Sequence, residues 1–243
     1  MRMPLLFRKA RSRRGPVLPP DLDPAARRVI ERVAPYTMTS PERILALRDA
    51  VEHVCRHGIE GDIVECGVWR GGSMMAAALT MLELGQARQL HLFDTFEGMP
   101  PPGAMDRDIG DVAAEELLAV EDRETGSTWA FGPLADVRQN LASTGYPADL
   151  VRYIQGRVEE TIPEQAPARI AVLRLDTDWY ESTRHELIHL FPRLAVGGVL
   201  IIDDYGHWKG ARQAVDEYLA ATGVRLLLSR IDYTGRMAVK LDP

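Results

Sequence analysis

The stretch Ile170-Ala171-Val172-Leu173-Arg174-Leu175-Asp176-Thr177-Asp178 decides the fold, together with Gly197-Gly198-Val199-Leu200-Ile201-Ile202-Asp203-Asp204 a helix length downstream. Strands this apolar are buried on both faces, the signature of a parallel sheet covered by helices. Open sheets of that kind bind ligands beyond the carboxyl ends of their strands. Each of the two runs ends there in a pair of aspartates. Gathered carboxylates repel one another unless a cation sits among them. The expectation is an α/β enzyme with an oxygen-ligated divalent metal at its chemical centre.

Outward from this pair, strand and helix alternate. Asp62–Cys66, Gln89–Asp94 and Val151–Gln155 read as strands upstream, and Val224–Ser229 with Met237–Leu241 as a hairpin-like pair downstream. Helices are expected over Ser73–Leu84, near 134–143, 180–191 and 208–222. Asp23-Pro24 marks a helix start, as does Thr39-Ser40-Pro41-Glu42, which has the form of a capping box. The pattern predicts a mostly parallel seven-stranded, doubly wound sheet with helices on both faces and an antiparallel C-terminal strand pair. One domain over 21–243 follows a basic arm at 1–20 that carries Arg2, Arg8, Lys9, Arg11, Arg13 and Arg14. That arm is either a frayed tail or a segment that closes over substrate or a neighbouring subunit. Residues 99–133 are too long for an ordinary connection and leave from a ligand-binding strand end. They form a lid over the substrate or an insertion packed on the rim.

At 243 residues, with 46% hydrophobic and 26% charged side chains, the chain can bury a full core. A net charge of −6 argues against nucleic acid or an anionic membrane as main partner. Cys55 and Cys66 have no metal-type spacing and suit a reducing cytoplasm. No apolar run approaches the roughly 18 residues of a membrane span.

Gly61-Asp62-Ile63-Val64-Glu65-Cys66-Gly67-Val68-Trp69-Arg70-Gly71-Gly72-Ser73 combines a strand, a glycine turn and a helix start. The dinucleotide fingerprint is absent. The E-x-G-x-x-x-G-x-S arrangement instead resembles the first motif of S-adenosylmethionine-dependent methyltransferases, which makes Glu65, Gly67, Trp69 and Ser73 candidate cofactor residues. Asp94, ending the next strand beside Thr95, can accept from ribose hydroxyls. In the aspartate cluster, three carboxylates around Mg²⁺ would leave positions for water or two substrate oxygens, and a fourth could take a proton. The bland alternative is helix capping by Asp178, with Glu181, and by Asp204. His185-Glu186-Leu187-Ile188-His189 matches the H-E-x-x-H zinc pattern. Its histidines lie opposite Thr183, Leu187, Leu190 and Phe191, hence on the expected solvent side, and Pro192 ends the helix before any third histidine. His207 stands near the aspartates, where it could orient substrate, act as a base, or be a plain surface histidine.

The segments Val64-Glu65-Cys66-Gly67-Val68, Asp94-Thr95-Phe96-Glu97-Gly98, Leu175–Thr183 and Ile202-Asp203-Asp204-Tyr205-Gly206 together resemble the macrocin O-methyltransferase family, over about residues 35–242. That family includes enzymes methylating deoxysugars of macrolide and aminocoumarin antibiotics. The resemblance implies a Rossmann-like class I methyltransferase sheet, Mg²⁺ dependence, a glycoside acceptor and a homo-oligomer. It makes Asp176, Asp203 and Asp204 the metal ligands and Asp178 the general base. It places Glu65, Gly67 and Asp94 against S-adenosylmethionine with help from Tyr36-Thr37, and Gly156-Arg157-Val158 by the adenine. Other readings are a polysaccharide or glycolipid acceptor, a zinc hydrolase built on His185 and His189, and a non-catalytic protein that keeps the cofactor fold.

Overall fold

The computed structural model of the protein describes residues 18–242, so most of the basic arm expected at 1–20 lies outside the described residues. The first half of the chain forms α1 (Pro24–Val33), α2 (Pro41–Arg56), β1 (Asp62–Cys66), α3 (Gly72–Glu83), β2 (Leu90–Asp94), α4 (Ala114–Val120) and α5 (Leu134–Ala142). The second half forms β3 (Val151–Gln155), α6 (Val158–Thr161), β4 (Ile170–Leu175), α7 (Tyr180–Leu190), β5 (Leu194–Ile202), α8 (Lys209–Thr222), β6 (Ser229–Arg230) and β7 (Arg236–Val239).

The seven strands make one sheet in the order β3-β2-β1-β4-β5-β7-β6. β1 to β5 run parallel, and β7 is antiparallel to both β5 and β6. The chain enters at β1, winds outward to β3, then returns to β4 on the other side of β1. The sheet therefore reverses its winding between β1 and β4, where such sheets open a ligand crevice. Register then fixes what faces that crevice. Cys66 is level with Phe93 and Leu175, and Leu175 with Ile202. The next residue on each strand, Gly67, Asp94, Asp176 and Asp203, consequently falls in one row at the carboxyl edge.

Every residue of β4 is buried, as its apolar run requires. One face of the sheet packs Val29, Ile44, Leu47, Val51 and Met75 from α1, α2 and α3. The other packs Leu187, Leu190 and Val215 from α7 and α8. Two caps start the helical layer. Asp23 Oδ1 accepts the N–H groups of Ala25 and Ala26, with Pro24 in the first helical position. Ser40 Oγ accepts Arg43 N–H at 3.2 Å, so the second helix has a serine cap; the third helical position holds Arg43, which rules out the capping box.

The C-terminal pair is shorter than expected. The strand foreseen over Val224–Ser229 is reduced to Ser229–Arg230, and Leu227 is 84% exposed. An edge strand packs one side only, so the apolar run Val224–Leu228 overstates pairing. β5 begins earlier, at Leu194, because Gly197 takes φ +81° and lets the strand continue past a bend.

Candidate active site

A cavity of about 370 Å³ lies over the crevice between β1 and β4. Its donor-side wall is mostly backbone. Gly67, Trp69 and Gly71 all have positive φ, which coils the chain tightly between β1 and α3. A Cβ on Gly67 would fall 1.9 Å from the Asp176 carbonyl oxygen, so only glycine fits. A Cβ on Gly72 would meet the Tyr36 carbonyl at 2.5 Å, which seats the Tyr36-Thr37 segment directly on the start of α3.

Asp94 braces this turn. Its Oδ2 accepts Val68 N–H at 2.5 Å and Trp69 N–H at 3.1 Å, and its Oδ1 accepts Phe96 N–H at 2.7 Å. The Thr95 hydroxyl lies a further 3.5 Å from Oδ1, and Asp94 itself lines the cavity. Burial pushes the Asp94 carboxyl up, and the backbone donors oppose that. Thr37, Gly67, Trp69, Ser73, Asp94, Thr95, Gly156 and Val158 all line the cavity. Glu65 does not. It is 1% exposed, lies behind the wall, and is paired with Arg174. Its place is that of a partner for the Arg174 guanidinium rather than a wall of the site.

The other wall is charge. Carboxylate oxygens of Asp176, Asp178 and Asp204 lie within 4.8 Å of one another. Neither aspartate suspected of capping does so: the caps of α7 and α8 are Trp179 and Trp208, without side-chain bonds. The N–H of Tyr180 goes instead to Asp106 Oδ1, at 2.8 Å. Burial and then Asp176 push the Asp178 carboxyl up to about 8. Burial and then Asp178 hold Asp204 well above the carboxylate range, and Asp204 Oδ2 is buried with no hydrogen-bond donor. Asp203 differs. Arg43 and Arg174 both bond its carboxylate, and Arg174 also reaches Asp176 at 2.6 Å and Thr39 at 3.0 Å. Arg43 Nε further pairs with Asp232 at 3.0 Å. Burial works against the Arg174 charge, but Asp176, Asp203 and Glu65 outweigh it and hold the guanidinium above its ordinary value.

Arg174 does leave a trace in the sequence, since one charged residue inside an otherwise apolar buried run signals a buried partner. Arg43, Asp106 and Asp232 carry no such signal, since each looks like an ordinary surface charge. His207 lines the mouth, with Nδ1 3.4 Å from the Tyr233 hydroxyl, and burial lowers its pKa.

The 99–133 segment packs on the rim and supplies part of the wall. Met99 N–H bonds the Trp129 carbonyl at 2.9 Å, closing the loop at its base. Leu118 and Trp129 bury against Trp179 and Trp208, and Trp179 Nε1 donates to the Pro100 carbonyl at 3.0 Å. The zinc pattern is not assembled. His185 and His189 lie with ring centroids 4.4 Å apart and planes tilted by 53° on a half-buried flank of α7, not on its solvent side, and His185 Nε2 meets the Ile162 carbonyl at 2.9 Å. Glu186 points into the core. Among the described residues, the three aspartates above are the group spaced to hold a metal ion.

Residues 17–239 match the model of the macrocin O-methyltransferase family, described as Macrocin-O-methyltransferase (TylF). The chain belongs to that family. It is an O-methyltransferase. A tetracenomycin rhamnosyl 4'-O-methyltransferase of Streptomyces olivaceus is 39% identical over 224 residues, covering 89% of this chain and 80% of that protein. Demethyldecarbamoylnovobiocin O-methyltransferase of Streptomyces niveus is 34% identical over 206 residues, covering 82% and 74%. The solved structure of the O-methyltransferase NovP superposes with a TM-score of 0.73 at 32% identity, covering 85% of this chain and 83% of its own. The macrocin O-methyltransferase fold is thus the class I methyltransferase sheet. Among the described residues no helix is long and apolar enough to cross a membrane.

Proposed function

We propose that this macrocin-type O-methyltransferase moves the methyl group of S-adenosylmethionine onto a sugar hydroxyl of a glycosylated natural product, with Mg²⁺ at the aspartates. The observation that carries this reading is one cavity shared by a glycine turn and a carboxylate cluster, in a chain of this family. The rhamnosyl group in the name of the Streptomyces olivaceus relative supports a sugar as acceptor.

Gly67, Trp69, Ser73 and Thr37 would hold the amino-acid end of the cofactor, Asp94 and Thr95 its ribose, and Gly156 and Val158 its adenine. Asp94 lines the cavity at the strand end where a ribose hydroxyl would be held. A divalent cation fits the acid wall for two reasons. Three carboxylates share a space that none can occupy fully ionised, and Asp204 Oδ2 is buried without a donor. When bound, the ion supplies stabilisation of the charge that develops on the acceptor oxygen.

Asp176, Asp203 and Asp204 would hold the ion, and Asp178 would take the proton. The pairing of Asp203 with Arg43 and Arg174 favours a second arrangement, in which Asp178 completes the ligand set and Asp203 stays with the arginines. Titration of Asp178→Asn and Asp203→Asn with Mn²⁺ separates the two: the variant that loses affinity carries the third ligand.

In the first arrangement the ionised form of Asp178 would be favoured by a cation at the neighbouring aspartates, and this carboxylate would take the acceptor proton as the acceptor oxygen bonds to the methyl carbon. The carbon–sulfur bond breaks and S-adenosylhomocysteine leaves. The chain's main contribution is to hold oxygen, carbon and sulfur in line. His207 at the mouth would orient the sugar. The test is release of S-adenosylhomocysteine with a panel of glycosides and Mg²⁺. Turnover with a glycoside, abolished by EDTA and restored by Mg²⁺, is expected. Full turnover in excess chelator removes the metal, and silence with every glycoside removes the acceptor class.

A further inference from the structure

Glu186, the acid of the H-E-x-x-H pattern, is 0% exposed on the inner side of α7, and the mechanism above gives it no role. Its Oε1 accepts the Thr177 hydroxyl at 2.9 Å. Buried Cys66 is a neighbour without a hydrogen bond to this carboxyl, and Glu186 Oε2 has no hydrogen-bond partner. These two neighbours sit at the ends of the two strands that flank the crevice.

Thr177 separates Asp176 from Asp178. Its carbonyl accepts Trp179 N–H at 2.7 Å, closing a three-residue turn around Asp178. Asp178 takes φ +65° in that turn. A non-glycine residue keeps such a conformation only where its surroundings over-determine it, and functional sites are where this occurs. Cys66 ends β1 and precedes Gly67. Its carbonyl accepts Asp176 N–H at 2.9 Å, so the two turns are joined backbone to backbone. The Glu186 carboxyl lies beneath that joint. Burial pushes it up to about 8, so at neutral pH it adds no charge below a cluster already rich in carboxylates.

We propose that Glu186 is a positioning residue: through its bond to the Thr177 hydroxyl it holds the strained Asp178 turn in place beside the Gly67 turn, and so sets the distance between methyl donor and acceptor hydroxyl. This rests on Asp178 acting as the proton acceptor. Small displacements matter in this reaction type, because an in-line transfer tolerates little misplacement.

The test uses Glu186→Leu, Glu186→Gln and Thr177→Val in the full chain. It measures kcat and acceptor KM with a glycoside, calorimetric affinity for S-adenosylmethionine, and hydrogen exchange of the peptide carrying the Trp179 amide. Glu186→Leu and Thr177→Val should lower kcat by about 10- to 100-fold while changing KM and cofactor affinity by about twofold at most. Exchange at Trp179 should quicken in both. Glu186→Gln keeps a carbonyl acceptor for Thr177 and should recover most of the loss. If Glu186→Leu does not fold, Thr177→Val and Glu186→Gln decide. Wild-type kcat and unchanged exchange in Thr177→Val overturn the proposal, as does a loss confined to KM or one that glutamine does not recover. Failure of the underlying reading looks different: Asp178→Asn then keeps full turnover, while the exchange experiment, which needs no turnover, still reports on the clamp.

Discussion

The donor wall and the acid wall of the cavity are built from different materials. The first is backbone: three positive-φ residues, Gly67, Trp69 and Gly71, and an aspartate whose oxygens are filled by main-chain N–H groups. The second is side-chain charge: Asp176, Asp178, Asp203 and Asp204 against Arg43 and Arg174. Walls made of shape fail when an atom is added, and walls made of charge fail when one is removed. The two meet where Gly67 lies against the Asp176 carbonyl, beside the Asp176 N–H bond to the Cys66 carbonyl.

The largest effect is expected where both walls are hit together. Gly67→Ala places a methyl 1.9 Å from the Asp176 carbonyl oxygen on a residue with φ +81°. It should abolish detectable cofactor binding in calorimetry and cost about 3 kcal/mol or more in denaturant unfolding. A variant that binds S-adenosylmethionine normally breaks the comparison at its joint.

Asp178→Asn touches the acid wall alone. Removing a positioned proton acceptor should lower kcat by about 10²- to 10⁴-fold with cofactor affinity within about twofold. Unchanged turnover would transfer the base to another group.

Arg174→Met is the structural counterpart. It leaves Glu65, Asp176 and Asp203 without the cation that Arg174 brings to all three. Breaking a buried pair by removing one partner costs about 3–5 kcal/mol, here offset in part because Arg43 remains on Asp203. Denaturant unfolding should show a loss of about 2–3 kcal/mol, which added Mg²⁺ recovers in part if the aspartates then take up the ion. A loss that Mg²⁺ leaves untouched would make Arg174 purely structural.

These two kinds of wall also explain how much could be read from the sequence. Apolar runs ending in acids, such as Ile170–Asp178, report both strand and site at once, because a parallel strand is buried on both faces and its carboxyl end is where ligands bind. The glycine turn is legible because positive φ selects glycine. Long-range charge pairing leaves no local trace. Arg43 stands on a helix 160 residues from Asp203, and nothing in the spacing of either joins them. Glu65 belongs to a motif and so looked like a cavity residue, yet the pleat points it at Arg174. The rim segment shows the same division. Its length marks it as unusual, but only the fold shows Leu118 buried, and Trp129 partly buried, against Trp179 and Trp208. The short C-terminal edge was overread because an apolar tract carries no record of having only one neighbour.

The smallest expected effect concerns the carboxyl beneath the joint. The Glu186 side chain ionises near its ordinary value of 4.5 when the chain is unfolded and is pushed up to about 8 by burial in the fold. Between these values the folded chain holds a proton that the unfolded chain has released. Its contribution to stability is thus fully present below about pH 4.5 and declines as the pH rises toward 8. Where the unfolded side chain is ionised and the folded one is not, the slope approaches about 1.4 kcal/mol per pH unit. Glu186→Gln removes this dependence, so its unfolding free energy should gain on the wild type by about 1 kcal/mol from pH 6 to pH 7. Subtracting the two profiles cancels the groups they share, among them Glu65, which burial raises to about 7. Parallel profiles would mean that Glu186 is ionised in the fold. The clamp would then place a charge directly below the acid wall, and the division between a wall of shape and a wall of charge would have to extend one layer deeper.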